Sequence, residues 1–105
     1  MSGNFFANNS ASIGGGIYND GSGILNENDG GTYNAGVLTV SNSIFINNSA
    51  NDGGGIYNDS GGMLTVKDDI FANNTATNGG GIYNAGTLIN TGNLFFDNTG
   101  GNIYS

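Results

Sequence analysis

The sequence predicts an all-β fold, a three-sided parallel β-helix of about four coils, each roughly 24 to 26 residues long, forming one domain over residues 1–105. Three observations predict it. Near-copies of one stretch occur at Phe6 to Asn19, Phe45 to Asn58 and Phe71 to Asn84. The spacing from Phe to Tyr is identical in all three, Phe6 to Tyr18, Phe45 to Tyr57 and Phe71 to Tyr83. The way back keeps that same spacing from Tyr33 to Phe45 and from Tyr83 to Phe95, and is slightly longer from Tyr57 to Phe71. Self-similarity at a fixed period of this size marks a repeat architecture whose units bury their apolar faces only by stacking.

Each unit divides into three short runs. The first is Gly-Ile-Tyr-Asn, as at Gly16 to Asn19. The second is Leu-Thr-Val, at Leu38 to Val40 and Leu64 to Val66, with Leu88 to Asn90 as a variant. The third is the Ile-Phe or Leu-Phe pair beginning at Ile44, Ile70 and Leu94. All are too short for helices, carry β-branched or aromatic residues, and are bounded by Gly, Asn, Asp or Ser, which is the pattern of strands separated by turns. The triple glycines at 14–16, 53–55 and 79–81 exclude helix, at roughly 1 kcal/mol each. They fit instead a corner that needs positive φ or close backbone approach.

Stacking coils turns every equivalent position into a column. Phe6, Phe45, Phe71 and Phe95 are expected to stack inside, walled by Ile17, Ile56, Ile82 and Ile103 and by Leu25, Leu38, Leu64 and Leu88. Asn9, Asn48, Asn74 and Asn98 fall at strand ends, where an amide both donates and accepts along the stack. With Ile pointing in, the period of two sends Tyr18, Tyr33, Tyr57, Tyr83 and Tyr104 outward as a second aromatic ladder, either rings that simply cover one another or a surface for sugars or a neighbouring rod. The same alternation turns Phe5, Ile44, Ile70 and Leu94 outward as an apolar stripe.

One stretch departs from the pattern. Tyr18 is followed by Tyr33 with no Phe strand between them. Either a shortened coil from Tyr18 to Tyr33 skips one face and leaves a notch, the preferred reading, or residues 20–32 loop out of a normal coil.

At this point the residues resemble a known family. The tetrapeptide FxxN occurs at Phe6 to Asn9, Phe45 to Asn48, Phe71 to Asn74 and Phe95 to Asn98, and GGxI at Gly14 to Ile17, Gly53 to Ile56, Gly79 to Ile82 and Gly100 to Ile103. Four alternating pairs resemble the GGA(I/L/V) and FxxN repeats of the chlamydial polymorphic membrane proteins and related bacterial surface proteins. The resemblance implies a right-handed parallel β-helix that is extracellular or at the cell surface, non-enzymatic, and adhesive or structural.

Composition narrows the function classes. There is no His and no Cys, which removes most nucleophile, general-base and transition-metal constellations, and no cofactor is implied. Lys67 is the single basic residue against a net charge of −7, which makes nucleic acid and anionic membrane poor partners. No apolar run reaches the ~20 residues of a membrane span. Asp68 and Asp69 form the one adjacent acidic pair, but neighbours in a strand point to opposite faces, which argues against paired-carboxylate catalysis. Asn19, Asp20, Glu27, Asp29 and Asp59 offer oxygens to Ca²⁺ without the spacing of a calcium loop, and are read as solvated turn residues. The Asn-x-Ser/Thr triplets at 8, 47, 58 and 73 come with the repeat itself.

The ends carry the sharpest expectation. Ser2-Gly-Asn-Phe-Phe6 repeats the pattern of Thr91-Gly-Asn-Leu-Phe95, so the start resembles the segment that continues the last coil. No end cap is evident, and a β-solenoid without caps offers a template at each end. Two readings follow: head-to-tail stacking through Asn4, Phe5 and Phe6 on one side and Ile103 and Tyr104 on the other, giving a filament, or a chain that forms part of a longer surface adhesin stalk. The partners are then further copies of the chain, or host and neighbouring cell-surface molecules or glycans. A carbohydrate-binding module using the outward Tyr ladder is the alternative.

Overall fold

The computed structural model describes residues 1–20 and 32–105, with the backbone alone described at 20 and at 32–35. Along the chain the strands are β1 (Phe5–Ala7), β2 (Ile17–Asp20), β3 (Thr32–Ala35), β4 (Val37–Ser41), β5 (Ile44–Ile46) and β6 (Ile56–Asn58). They continue with β7 (Met63–Lys67), β8 (Ile70–Ala72), β9 (Ile82–Asn84), β10 (Thr87–Thr91), β11 (Leu94–Phe96) and β12 (Ile103–Tyr104). Every strand pairing among them is parallel, and none of the described residues is helical. Among the described residues no helix is long and apolar enough to cross a membrane.

The strands form three open sheets, one per side of the coil. The Phe sheet runs β1-β5-β8-β11, the Leu sheet β4-β7-β10 and the Tyr sheet β3-β2-β6-β9-β12. The chain visits the Leu, Phe and Tyr sheets in turn, which is the three-sided parallel β-helix read from the sequence. Register places like on like: Phe6 faces Phe45, Phe45 is in line with Phe71, Leu38 with Leu64 and Leu88, and Ile17 with Ile56 and Ile82.

The core follows from that register. Ile17, Leu38, Val40, Phe45, Ile56, Leu64, Val66, Phe71 and Ile82 make one buried cluster, with Phe6, Leu88, Phe95 and Ile103 packed against it from the two end coils. The Phe rings stack at 4.6, 4.6 and 4.8 Å with interplanar angles of 4 to 8°. That separation matches the ~4.7–4.9 Å between neighbouring strands, so the backbone sets the ring spacing and the rings need no adjustment. Each buried side chain of this size contributes roughly 1.5–3 kcal/mol, and each aromatic contact adds about 0.5–1.5 kcal/mol.

The corners explain the Gly and Asn content. Gly53 has φ 68° and a Cβ there would sit 2.5 Å from Ile56 O. A Cβ on Gly54 would meet Gly80 O at 2.5 Å, and one on Gly55 would meet Gly81 O at 2.5 Å and the Phe71 ring at 2.9 Å. The triplet thus serves one left-handed turn and two close approaches of adjacent coils. Asparagine and aspartate take the other left-handed positions: Asn8, Asn47, Asn73 and Asp97 lie at φ 59, 58, 55 and 56°, and Asn42 and Asp68 at 51 and 55°. Among non-glycine residues these types best tolerate that region.

The preferred reading of the irregular stretch is corrected. A shortened coil would place β3 between β2 and β6, but β2 pairs directly with β6, and β3 lies on the far side of β2. The Asn19 amide donates to Gly36 O at 2.9 Å, as Asn58 does to Gly62 O and Asn84 to Gly86 O, so the chain leaves the coil after Asn19 and rejoins it at Gly36. The physical reason lies in the Phe sheet. An extra level between β2 and β6 would lift β1 off β5 and separate Phe6 from Phe45, whereas an excursion keeps both contacts. The loop reading is close but short, because the excursion ends at 35 rather than 32; residues 21–31, with Leu25, lie outside the described residues.

Replacing Gly55 by Ala is expected to cost about 2–3 kcal/mol, because backbone and a buried ring would both have to shift. Replacing Gly3, whose Cβ would meet nothing within 4 Å, costs only the roughly 1 kcal/mol of a left-handed alanine. Urea unfolding of the two variants against the parent checks the ranking.

Candidate functional site

The surfaces able to do something are the outer face of the Tyr sheet and the two ends of the stack; the β1 end is the head and the β12 end the tail. On the Tyr sheet, Tyr18, Tyr57, Tyr83 and Tyr104 stack at 5.0, 4.8 and 4.9 Å. Tyr18 is buried, Tyr57 and Tyr83 are half-buried, and Tyr104 is 45% exposed. Tyr18 Oη donates to Asp59 Oδ2 at 3.3 Å. The backbone register sets Tyr33 opposite Tyr18, and its side chain lies outside what is described. Rings in contact at this spacing cover one another's faces, so the column presents ring edges and hydroxyls along its length, and Tyr104 is ring-covered on its Tyr83 side.

Three side-chain ladders run the length of the stack. Asn9 N and Nδ2 donate to Asn48 Oδ1 at 3.1 and 2.9 Å. Asn48 repeats both bonds to Asn74 Oδ1 at 3.0 Å, and Asn74 to Asn98 Oδ1 at 3.0 and 3.1 Å. The second nitrogen hydrogen of each amide reaches back to the coil before: Asn48 Nδ2 to Phe6 O, Asn74 Nδ2 to Phe45 O and Asn98 Nδ2 to Phe71 O, all at 3.0 Å. This is the amide column expected from the sequence.

Two further ladders were not legible in advance. Asn19 Nδ2 donates to Asn58 Oδ1, and Asn58 Nδ2 to Asn84 Oδ1, each at 2.7 Å. At the opposite corner Asn4 N donates to Ser43 Oγ at 3.1 Å, Ser43 N to Asp69 Oδ1 at 2.8 Å, and Asp69 N to Asn93 Oδ1 at 2.8 Å. The signal for the first was the Asn that follows four of the five Tyr residues. The second mixes Asn, Ser and Asp in one column, a chemical equivalence that residue identity hides.

The ladders share one direction. From rung to rung, an N–H always donates to the side-chain oxygen of the next rung toward the tail, whatever the second amide hydrogen does. At the head, Asn9 Oδ1 accepts from no described residue; at the tail, Asn98 Nδ2 turns to Asn102 Oδ1 at 3.3 Å, in the place of a next rung. The structure brings Asn4, Phe5 and Phe6 together at the head and Ile103 and Tyr104 at the tail. Phe5 is 66% exposed, Asn4 and Phe6 are half-buried, Ile103 is half-buried against Ile82, and Tyr104 lies on Tyr83. Outside the Phe sheet, Phe5 and Leu94 are exposed and Ile44 and Ile70 half-buried, so the apolar stripe does face outward, with Phe96 at its tail end.

The acidic residues do not converge. Asp68 is exposed at its left-handed corner while Asp69 is buried inside the Ser43–Asn93 ladder, where its Oδ1 and Oδ2 accept from Ser43 N and Lys67 N. Desolvation raises the Asp69 carboxyl above the usual range, the two N–H donors oppose that, and the neighbouring Asp68 charge adds to it. Asn19 is consumed by its ladder and Asp59 accepts from Ser60 N and Tyr18 Oη; Glu27, Asp29 and the Asp20 side chain lie outside what is described. Among the described residues no three acidic, His or Cys side chains group around a common point, and no cleft is formed.

With this geometry in view, the repeat family described as Chlamydia polymorphic membrane protein (Chlamydia_PMP) repeat matches residues 42–59 and 70–85. These matches span the FxxN and GGxI tetrapeptides of the two middle coils. No curated protein and no solved structure was found to match the chain.

Two outcomes are expected. Asn74→Ala strands Asn48 N and Nδ2 and Phe45 O in the interior and should cost about 3 kcal/mol or more in chemical denaturation, while Asn98→Ala strands the equivalent Asn74 N and Nδ2 and Phe71 O at the tail, where water can take the place of the half-buried amide, and should cost less, about 1–2 kcal/mol. For Asp69, a folded-state pKa above the unfolded one means that ionisation opposes folding, a penalty absent below the unfolded pKa and growing as pH rises toward the folded one. The stability difference between Asp69→Asn and the parent should therefore shift in the variant's favour as pH rises from below the ordinary aspartate range to above it, read from denaturation midpoints at a series of pH values.

Proposed function

We propose that this chain is a non-enzymatic structural β-solenoid of the bacterial surface, which lengthens by head-to-tail stacking of coil on coil into a filament or stalk. The observation that carries the reading is the common direction of the ladders. A head meeting a head opposes two amide oxygens at Asn9, and a tail meeting a tail opposes two backbone N–H donors at Asn98, whose Nδ2 is taken by Phe71 O and Asn102 Oδ1. Once β3 is displaced from the edge of β2, a tail meeting a head pairs Asn98 N–H with Asn9 Oδ1 and Phe95 with Phe6, the same residue pairings that join coils within the chain, and sets Asn93 N–H toward Asn4 as Asp69 N–H is set toward Asn93. Such a heterologous contact leaves a new tail each time and does not close.

The repeat-family match supports the surface location, and the absence of His and Cys from the sequence together with the scattered carboxylates supports a non-enzymatic role. The carbohydrate-binding alternative draws on the Tyr column, but sugars stack on free aromatic faces, and here each inner ring is sandwiched between two others.

Electron microscopy across a concentration series is the test. Unbranched fibres with a repeat of ~20 Å, the height of four levels at strand spacing, are expected. Asn98→Asp places an acceptor where the next rung offers one and should raise the concentration for assembly at least tenfold. A monodisperse monomer at every concentration, with saturable glycan binding abolished by Tyr57→Ala, would replace this reading by the carbohydrate-binding one.

A further inference from the structure

The two ends of the stack differ in shape. At the tail, β10, β11 and β12 close the three sheets in one coil. At the head, the Phe sheet ends at β1, and the Leu sheet at the same level with Met1 to Gly3, where Ser2 bridges Ser41. The Tyr sheet runs one strand further, because β3 covers the edge of β2 with Ile17 opposite Thr32 and Asp20 opposite Ala35. A flush tail brought to this head meets β3 first. Its other two edges then stop one strand spacing short, ~4.8 Å, a separation at which neither ring stacking nor an amide bond forms.

We propose that β3 is an edge guard that sets the concentration at which copies of this chain stack, an inference that rests on the head-to-tail reading. A second observation is independent of the step. Tyr33-Asn34-Ala35-Gly36 repeats Tyr83-Asn84-Ala85-Gly86, the tetrapeptide that carries β9 round the corner to β10 with Asn84 Nδ2 on Gly86 O at 3.2 Å. The strand β3 therefore has the sequence of an ordinary rung, yet the carbonyl its asparagine would use, Gly36 O, is taken by Asn19 at 2.9 Å. A rung displaced from its own slot and laid along the head edge leaves one sheet of three a strand out of step, so the new edge it offers cannot be paired by an incoming coil while the other two edges are paired as well.

The test removes the guard while keeping the coil. Deleting residues 20–34 joins Asn19 to Ala35-Gly36 and recreates the Asn84-Ala85-Gly86 corner. The threshold concentration for filaments, followed by light scattering and electron microscopy, is expected to fall at least tenfold against the parent. Asn34→Pro, which disrupts β3 without shortening the chain, should shift it in the same direction and serves where the deletion does not fold by circular dichroism. Equal thresholds for parent and variants would overturn the guard and leave stacking intact. A higher threshold in the variants would overturn it too, making β3 a docking strand. No filaments from parent or folded variants at any concentration would overturn the stacking reading and the guard with it.

Discussion

The rise of one strand per coil governs this molecule. Parallel pairing fixes the distance between successive coils at ~4.8 Å, and at that distance a planar group rests in van der Waals contact with its copy in the next coil. Phenylalanine, tyrosine and the asparagine amide are all planar, which is why these residues fill the columns. A Phe column satisfies the interior, a Tyr column shields one outer face, and Asn columns satisfy the bent backbone between strands. None of the three works unless the register is in step, and each penalises a slip in it, so the ladders and the strand pairing hold one another in place.

The same spacing accounts for the corners. Two coils can run that close through a turn only where a side chain is missing or points away, hence the glycines whose Cβ would strike the next coil's carbonyl. Where the chain must instead turn left-handed at the surface, Asn and Asp serve. Gly and Asn together make up well over a third of the residues, a composition that in another arrangement would signal disorder. Here it is demanded by geometry, because a narrow solenoid consists largely of corners.

Much of this was legible in the sequence because a solenoid repeats its environment along with its residues. The Phe6–Phe95 column, the outward Tyr ladder and the Asn9–Asn98 ladder each follow from spacing alone. What spacing hides is substitution within a column. Asn4, Ser43, Asp69 and Asn93 share one column, in which Ser43, Asp69 and Asn93 each accept from the N–H of the preceding coil, and nothing in their names says so. Spacing also gives no order of strands across an irregular stretch. Tyr18 and Tyr33 are both followed by the Asn of an ordinary rung, and two strands compatible with one slot are separated only by the Phe sheet, where β1 holds β2 in place from a different side of the coil.

The corner between the Tyr and Leu sheets shows how little the coil depends on what hangs from it. There the path from the ladder Asn to the Gly whose carbonyl accepts its amide is shortest from Asn84 to Gly86, longer from Asn58 to Gly62 and by far the longest from Asn19 to Gly36, with the same bond closing all three. The clasp makes the connecting segment free to vary. In a rod of this kind, shape and display are separable: the columns keep the scaffold constant while one corner closes over connections of three different lengths, so a change in the connection need not disturb the interior beside it.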